Sequence, residues 1–327
     1  MAEWQLPLGH HRHGAADAGG ITGKNVIVNG SMQIVQRGSS HTTEGYGSLD
    51  RYYLALSGAS GVTMSQQAFS TADRNSLGFE KHLKLAVTTA NNNCGVYQYI
   101  EASNAVHLIG KKATLSFYAK GTNPAGGSFT MQPSWYNKSS GGGDNAVAQS
   151  LTVTSSWAKY SFTFDIPAPA NTTIDNNAYL SISFTQPAGD TSTTAWELNL
   201  AGLQFELGEQ ATPFEYRSFK DELALCQRYY YQTPTSEHSV HTVRSYNNGN
   251  QYYGPVVYPV TMRANPTFST QTNTINLPSI ANTTGTFTNH NVTRHRSIIR
   301  IVPASDYGAY TYTVIAINNA MKFDAEL

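Results

Sequence analysis

The run GHHRHG near the start of the chain places His11 and His13 two residues apart, and in an extended chain such residues project to the same side. Two imidazoles do not complete a transition-metal shell, so one chain alone offers only part of a site. Arg12 interrupts the run and no linker flanks it, so it does not read as an affinity tag. A polar leader touching a neighbouring protein is the plain alternative.

Aromatic rings set among amides are the second chemically capable group. Holding a sugar takes an exposed ring against its C–H face and polar neighbours for its hydroxyls, and Tyr and Trp bring both. Trp135 and Tyr136 are adjacent ahead of NKSSGGGDN; on a strand they face opposite ways, so one of them is expected to be exposed. Tyr246, Tyr252 and Tyr253 fall in SYNNGNQYYG, read as a loop dense in Tyr, Asn and Gly, the composition of surfaces suited to adaptable recognition. An ordinary hairpin turn on Asn248-Gly249 would look the same. Tyr52 and Tyr53, directly after Asp50-Arg51, are assigned to the core.

Acid–base chemistry finds less support. The sequence contains no G-x-S-x-G, H-E-x-x-H, P-loop or G-x-G-x-x-G fingerprint. Glycoside hydrolysis can draw its two acids from distant strands, so carboxylates alone do not exclude it. Glu206, Glu209 and Glu215 cluster in one stretch where a structural role is expected, and His241, His290 and His295 are scattered. The chain is therefore expected not to be an enzyme.

The elements that position these residues follow from composition and period. Of 327 residues only 13% are charged while 40% are hydrophobic, and Ser, Thr, Asn, Gln, Gly and Tyr fill the gap. That mixture favours short strands and polar turns over helices. Zero net charge without a basic block gives no footprint for nucleic acid, and no stretch has the apolar length of a membrane span. The start lacks the basic and apolar regions of a signal peptide, so Sec-dependent export is not expected. Cys94 and Cys226 read as buried small residues, not a disulfide framework.

Period-two alternation places Tyr160, Phe162, Phe164 and Ile166 on one strand face, and Leu180, Ile182 and Phe184 on another. Leu115, Phe117 and Ala119 repeat it. In WELNLAGLQFEL the phase flips across Ala201-Gly202, the mark of a bulge or a bend. SFKDELALCQRYYY predicts a helix over 218–231: Ser218 and Asp221 form a capping pair, and Leu223, Cys226 and Tyr230 share a face. Strand patterning returns beyond it.

Several segments carry a resemblance. NVIVNGSMQIVQRG followed by SLDRYYL resembles the opening of carbohydrate-binding-module-like jelly rolls in bacteriophage tail fibres, although Met32 replaces the usual aromatic and Val35 stands where Trp is common. LTVTSSWAKYSFTFDIP, the junction LAGLQFELGEQATPFEYRSFKDELALCQRYYY and the closing KFDAEL are similar to stretches of the same proteins. The resemblance extends over about residues 25–231, and its motifs mark architecture more than ligand. It implies an all-β chain: a leader (1–24) docking on the virion, a jelly-roll β-sandwich (25–217), a connecting helix (218–231) and a second β-sandwich domain (232–327) as receptor-binding tip.

The implied role is a tail-fibre subunit in the virion, made in the host cytoplasm, a homotrimer that binds bacterial surface glycan without covalent chemistry. Its other partners would be a baseplate, a hub or another virion protein. Three parallel copies would bring six imidazoles from His11 and His13 together, enough for an octahedral transition-metal ion. A polysaccharide depolymerase, or a head fibre or decoration protein without a receptor, remain the alternatives.

Overall fold

In a computed structural model of the chain, residues 23–89, 93–186, 194–233, 239–246, 251–269, 271–277, 281–304, 313–317 and 321–327 are described. Residues 1–22, with His11 and His13, lie outside them, as do residues 247–250. The first strands are β1 (Ser40–His41), β2 (Tyr52–Leu56), β3 (Ser60–Ala68), β4 (Lys81–Thr89) and β5 (Cys94–Glu101). Next come β6 (Lys112–Thr122), β7 (Phe129–Asn137), β8 (Gly141–Asn145), β9 (Gln149–Leu151) and β10 (Ala158–Asp165). The set closes with β11 (Ala178–Thr185) and β12 (Trp196–Leu207). Short helices α1 (Thr71–Leu77) and α2 (Ala102–Ala105) punctuate it.

These strands form two antiparallel sheets, β1-β3-β4-β12-β6-β10 and β2-β5-β11-β7-β8, with β9 added to β7. From β4 to β7 and again from β10 to β12 the chain crosses to the other sheet at each strand, which is jelly-roll connectivity. Inward side chains of both sheets share one core, where Phe117 meets Phe184 edge-on at 5.1 Å and Phe129 meets Trp196 at 5.1 Å. The alternations at Leu180, Ile182 and Phe184, and at Leu115, Phe117 and Ala119, are this buried side. Cys94 and Cys226 are both buried and unbridged, as expected.

The phase flip in β12 is a bulge between Ala201 and Gln204, with Gly202 at φ 59°. It lets both halves of one strand bury apolar residues, Leu198 and Leu200 before it and Leu203 and Phe205 after. Against the bulge lies the opening segment. Asn25 donates from Nδ2 to Leu203 O at 3.0 Å, and its Oδ1 accepts from Ile27 N and Phe205 N, each at 3.0 Å. Gly30 follows Asn29, which adopts φ 59°, and any Cβ on Gly30 would collide with Leu203 O. The Asn-Gly pair is therefore a steric requirement.

Helix α3 (Phe219–Gln227) starts as expected: Ser218 Oγ accepts from Asp221 N at 3.2 Å. It buries Glu222 and Cys226, and the Glu222 carboxylate accepts from Asn29 N. The helix ends four residues short of the expected 231. Tyr230–Gln232 forms strand β13 instead, because three consecutive tyrosines favour extended backbone and a partner strand is available.

The remaining strands are β14 (Ser239–Tyr246), β15 (Gln251–Val257), β16 (Thr267–Phe268), β17 (Gln271–Leu277) and β18 (Ala281–Val292). They are followed by β19 (Arg296–Pro303), β20 (Thr313–Ile317) and β21 (Lys322–Asp324). Six of them close into a barrel in the order β14-β15-β19-β18-β17-β20. The second unit is thus all-β as expected, with its sheet closed on itself in place of two stacked sheets. β13, β21 and β16 make a separate three-stranded sheet beside the jelly roll.

Several of the motifs named in the sequence converge at this junction. Gln36 N and Nε2 bond the Asp50 carboxylate, and Gln36 Nε2 also donates to Tyr230 O at 2.8 Å. Arg37 pairs with Asp324 at 3.0 Å and with Glu326 at 3.3 Å, its guanidinium 3.6 Å from the Tyr230 ring centre. Arg51, only 1% exposed, pairs with Glu326, donates to Tyr99 O and lies 3.4 Å from the Tyr229 ring centre. Gln-Arg-Gly, Asp-Arg, Arg-Tyr-Tyr-Tyr and Phe-Asp-Ala-Glu are therefore parts of one buried polar joint. Their polar side chains bond one another and the backbone within the fold.

Candidate functional site

The outer face of the sheet that contains β2, β5, β11 and β7 carries a row of tyrosines, and its origin is the two-residue period. In β5, Val96, Gln98 and Ile100 point inward, so Tyr97 and Tyr99 point out; in β11, Leu180, Ile182 and Phe184 leave Tyr179 outside. Strand register joins them across the sheet. Tyr53 stands opposite Tyr97, Ser181 opposite Tyr99, and Tyr179 opposite Tyr136. Ring centres step from Tyr53 to Tyr99 at 5.4 Å, from Tyr99 to Tyr179 at 4.7 Å and from Tyr179 to Tyr136 at 5.9 Å, with Tyr97 6.0 Å to the side of Tyr99.

Small side chains floor the space between the rings. Ser181 donates to Ser134 O and Ser183 to Gln132 O, both at 3.1 Å, so these hydroxyls lie flat on the sheet. Next to Tyr97 the floor dips into a hollow of about 270 Å³ bordered by Ala55, Gly95, Thr130, Gln132 and Thr185. A Cβ on Gly95 would come within 2.6 Å of Phe184 O, so this floor cannot be filled by a larger residue.

Burial shapes the acidity of three of these phenols. Burial first, then the neighbouring Tyr136 and Tyr53, pushes the Tyr179 phenol up to about 12. Tyr99 rises further, through burial and the adjacent Tyr179, Tyr53 and Tyr97, and burial also raises Tyr97. The Tyr97, Tyr99 and Tyr179 phenols therefore keep their protons at neutral pH and can donate to a hydroxyl or accept from one. Ring faces and edges with neutral polar tips over a small polar floor are suited to a flat, hydroxyl-rich ligand.

The sequence candidates divide sharply. Of the adjacent pair, Tyr136 is 43% exposed and ends the row, while Trp135 is 0% exposed and belongs to the core. Trp135 is thus withdrawn as a sugar contact. Tyr252 and Tyr253 are in strand β15, not a loop: Tyr252 is 0% exposed inside the barrel, and half-buried Tyr253 donates to Gln251 Oε1 at 2.8 Å and meets the His290 ring. Tyr252 is withdrawn for the same reason, because alternation along the strand aims it at the barrel core. Tyr246 is the last residue of β14, opposite Gln251, and its side chain lies outside the description.

Tyr53 was assigned to the core with Tyr52, but only Tyr52 is there; the Tyr53 phenol donates to Glu44 Oε1 at 3.2 Å on the outer face. Tyr97, Tyr99 and Tyr179 were missed, although GVYQYIE and AYLSISFT carry the signal: tyrosines on the opposite phase from Val, Ile, Leu and Phe.

Glu206 accepts from Thr212 N at 2.9 Å and from Gln204 Nε2 at 2.7 Å; Glu215 accepts from Asn25 N at 2.8 Å; Glu209 pairs with Lys112 at 3.4 Å. Among the described residues no group of three or more His, Cys, Asp or Glu could hold a metal, and no helix is long and apolar enough to cross a membrane.

No protein-family description matches the chain, and no curated protein does. Solved structures similar to it include the enzymatically active domain of tailspike protein 4 of Bacteriophage CBA120, at 18% identity over 57% of this chain, with a TM-score of 0.38. The match spans only 22% of that tailspike chain. The family 11 carbohydrate-binding module of a Clostridium thermocellum cellulosomal cellulase matches at 13% identity over 53% of this chain and 98% of that one, with a TM-score of 0.32. The N-terminal cellulose-binding domain of Cellulomonas fimi β-1,4-glucanase C matches at 18% identity over 53% of this chain and 90% of that one, with a TM-score of 0.29. At these scores the likeness carries no argument about function.

Proposed function

We propose that this chain binds a surface glycan through the tyrosine row, as a subunit of a phage tail fibre that attaches the virion to its host. The observation that carries the glycan reading is the row itself: Tyr53, Tyr97, Tyr99, Tyr179 and Tyr136 share one outer face over a floor of serines and glycine. The virion placement rests on the resemblance of the junction motifs to tail fibres, as does the homotrimer. Each site would bind weakly, and several copies on a particle would raise the effective affinity.

Binding, not cleavage, is the proposed activity, since Glu206 and Glu215 are committed to backbone and side-chain hydrogen bonds within the fold. Removing the exposed ring by Tyr136→Ala is expected to weaken binding on an array of bacterial oligosaccharides roughly tenfold, with the melting curve intact. Undiminished binding would move the site elsewhere, and released oligosaccharide fragments would replace this reading with a depolymerase.

A further inference from the structure

A polar cleft of about 430 Å³ opens where the jelly roll meets the barrel, at the end of the tyrosine row: Glu101, the strand partner of Tyr179, lines it, as does Ala178. Three arginines face it, Arg228, Arg263 and Arg294, against two carboxylates, Glu101 and Asp175. Arg228 is satisfied, gripping both Glu101 oxygens at 2.9 and 2.8 Å. Asp175 Oδ1 accepts from Asn137 Nδ2, at the end of β7, at 3.0 Å and from Asn177 N at 2.7 Å.

The other two arginines have no carboxylate partner among the described residues. Arg263 is half-buried and its side chain donates to three carbonyls among the described residues, Ala325 O at 2.8 Å, Glu326 O at 3.2 Å and Asn176 O at 3.4 Å. Burial, the largest influence on it, holds its basicity below the ordinary value, while Glu101 nearby acts in the opposite direction. Arg294 is exposed and uses Nε on Met262 O at 2.8 Å, which orients its two terminal nitrogens without occupying them. Exposed Asn176, Asn177 and Ser103 add amides and a hydroxyl to the same wall. A guanidinium fork matches a carboxylate with two parallel hydrogen bonds, while amides and hydroxyls suit the rest of a sugar ring.

We infer that this cleft takes the carboxylate of an acidic sugar residue, so that the glycan running over the tyrosines is a uronate-type polymer. The inference rests on the glycan reading above and adds the charge of its ligand. The test is binding of the full chain to a panel of acidic oligosaccharides and to the same oligosaccharides after carboxyl reduction to neutral sugars. An acidic member should be preferred over its reduced form about tenfold, the preference should shrink with added salt, and Arg294→Gln should bring the ratio near 1. Equal binding of the two forms, or a ratio that Arg294→Gln leaves unchanged in a folded variant, overturns the acidic-sugar inference while the Tyr136-dependent reading stands. Absence of binding in both arms overturns both.

Discussion

Glu326→Gln tests the joint between the two units with almost no change of shape. In the native fold the Glu326 side chain is 5% exposed and neutralises Arg51 while lying 3.3 Å from Arg37. Arg51 cannot reach water, so losing the negative charge leaves a guanidinium buried without its ion-pair partner. Breaking a buried pair from one side typically costs about 3–5 kcal/mol. The low end applies here, because Arg51 keeps the Tyr99 carbonyl and the Tyr229 ring, and Asp50 remains near. A loss of about 3 kcal/mol corresponds to a fall of roughly 4 °C in the thermal midpoint of a chain of 327 residues unfolding as one unit. Asp324→Asn is the control: its side chain is 43% exposed, so its pair with Arg37 should contribute less than about 1 kcal/mol. Differential scanning calorimetry on both variants reads the contrast. A Glu326→Gln midpoint within a degree of the parent, or equal to that of Asp324→Asn, would refute the claim that this carboxylate holds the joint.

Two other expectations follow from the same reasoning. His82 lies between the Phe69 and Trp157 rings, and burial first, with Lys120 and Lys84 adding to it against the Leu83 carbonyl, lowers it to about 4. Because the folded value is below the unfolded one near 6.5, the stability it contributes is complete above pH 6.5 and is lost as the pH falls toward 4. Denaturant titrations from pH 7 to pH 4 should therefore show a steeper decline in the parent than in a folded His82→Gln variant, by up to about 3 kcal/mol; parallel curves would remove His82 from the acid response. Separately, mass measurement in solution should give three copies per particle, with a transition metal released by a chelator from the full chain if His11 and His13 form the clip. A monomer would end the trimer reading, and a trimer without metal would end the clip alone.

The fold was legible where one residue's environment repeats every second position. Leu180, Ile182 and Phe184 announced a half-buried strand, and the flip at Gly202 announced the bulge. The same alternation held the site as well, since an inward Leu180 makes Tyr179 outward, but looking for aromatics in turn-rich stretches led to Tyr252, which a barrel interior claims. Trp135 and Tyr136 show the limit: adjacency says that one is exposed, and only the position of the second sheet decides which. The end of α3 was beyond local reading because Tyr230–Gln232 becomes a strand through pairing with residues 322–324, some ninety positions away. The arginine cleft likewise assembles side chains from segments with no shared pattern.

The three-stranded sheet of β13, β21 and β16 has a mechanical consequence. The chain enters the barrel through β13 and comes back through β21, so the two ends of that excursion are zipped to each other. A tug on the barrel would load this zipper and the arginine–carboxylate clasp together, where a single tether would let it swing like a bead on a string. A ligand caught near the seam would then feel a stiff lever, and strain applied at one unit would reach the other without slack.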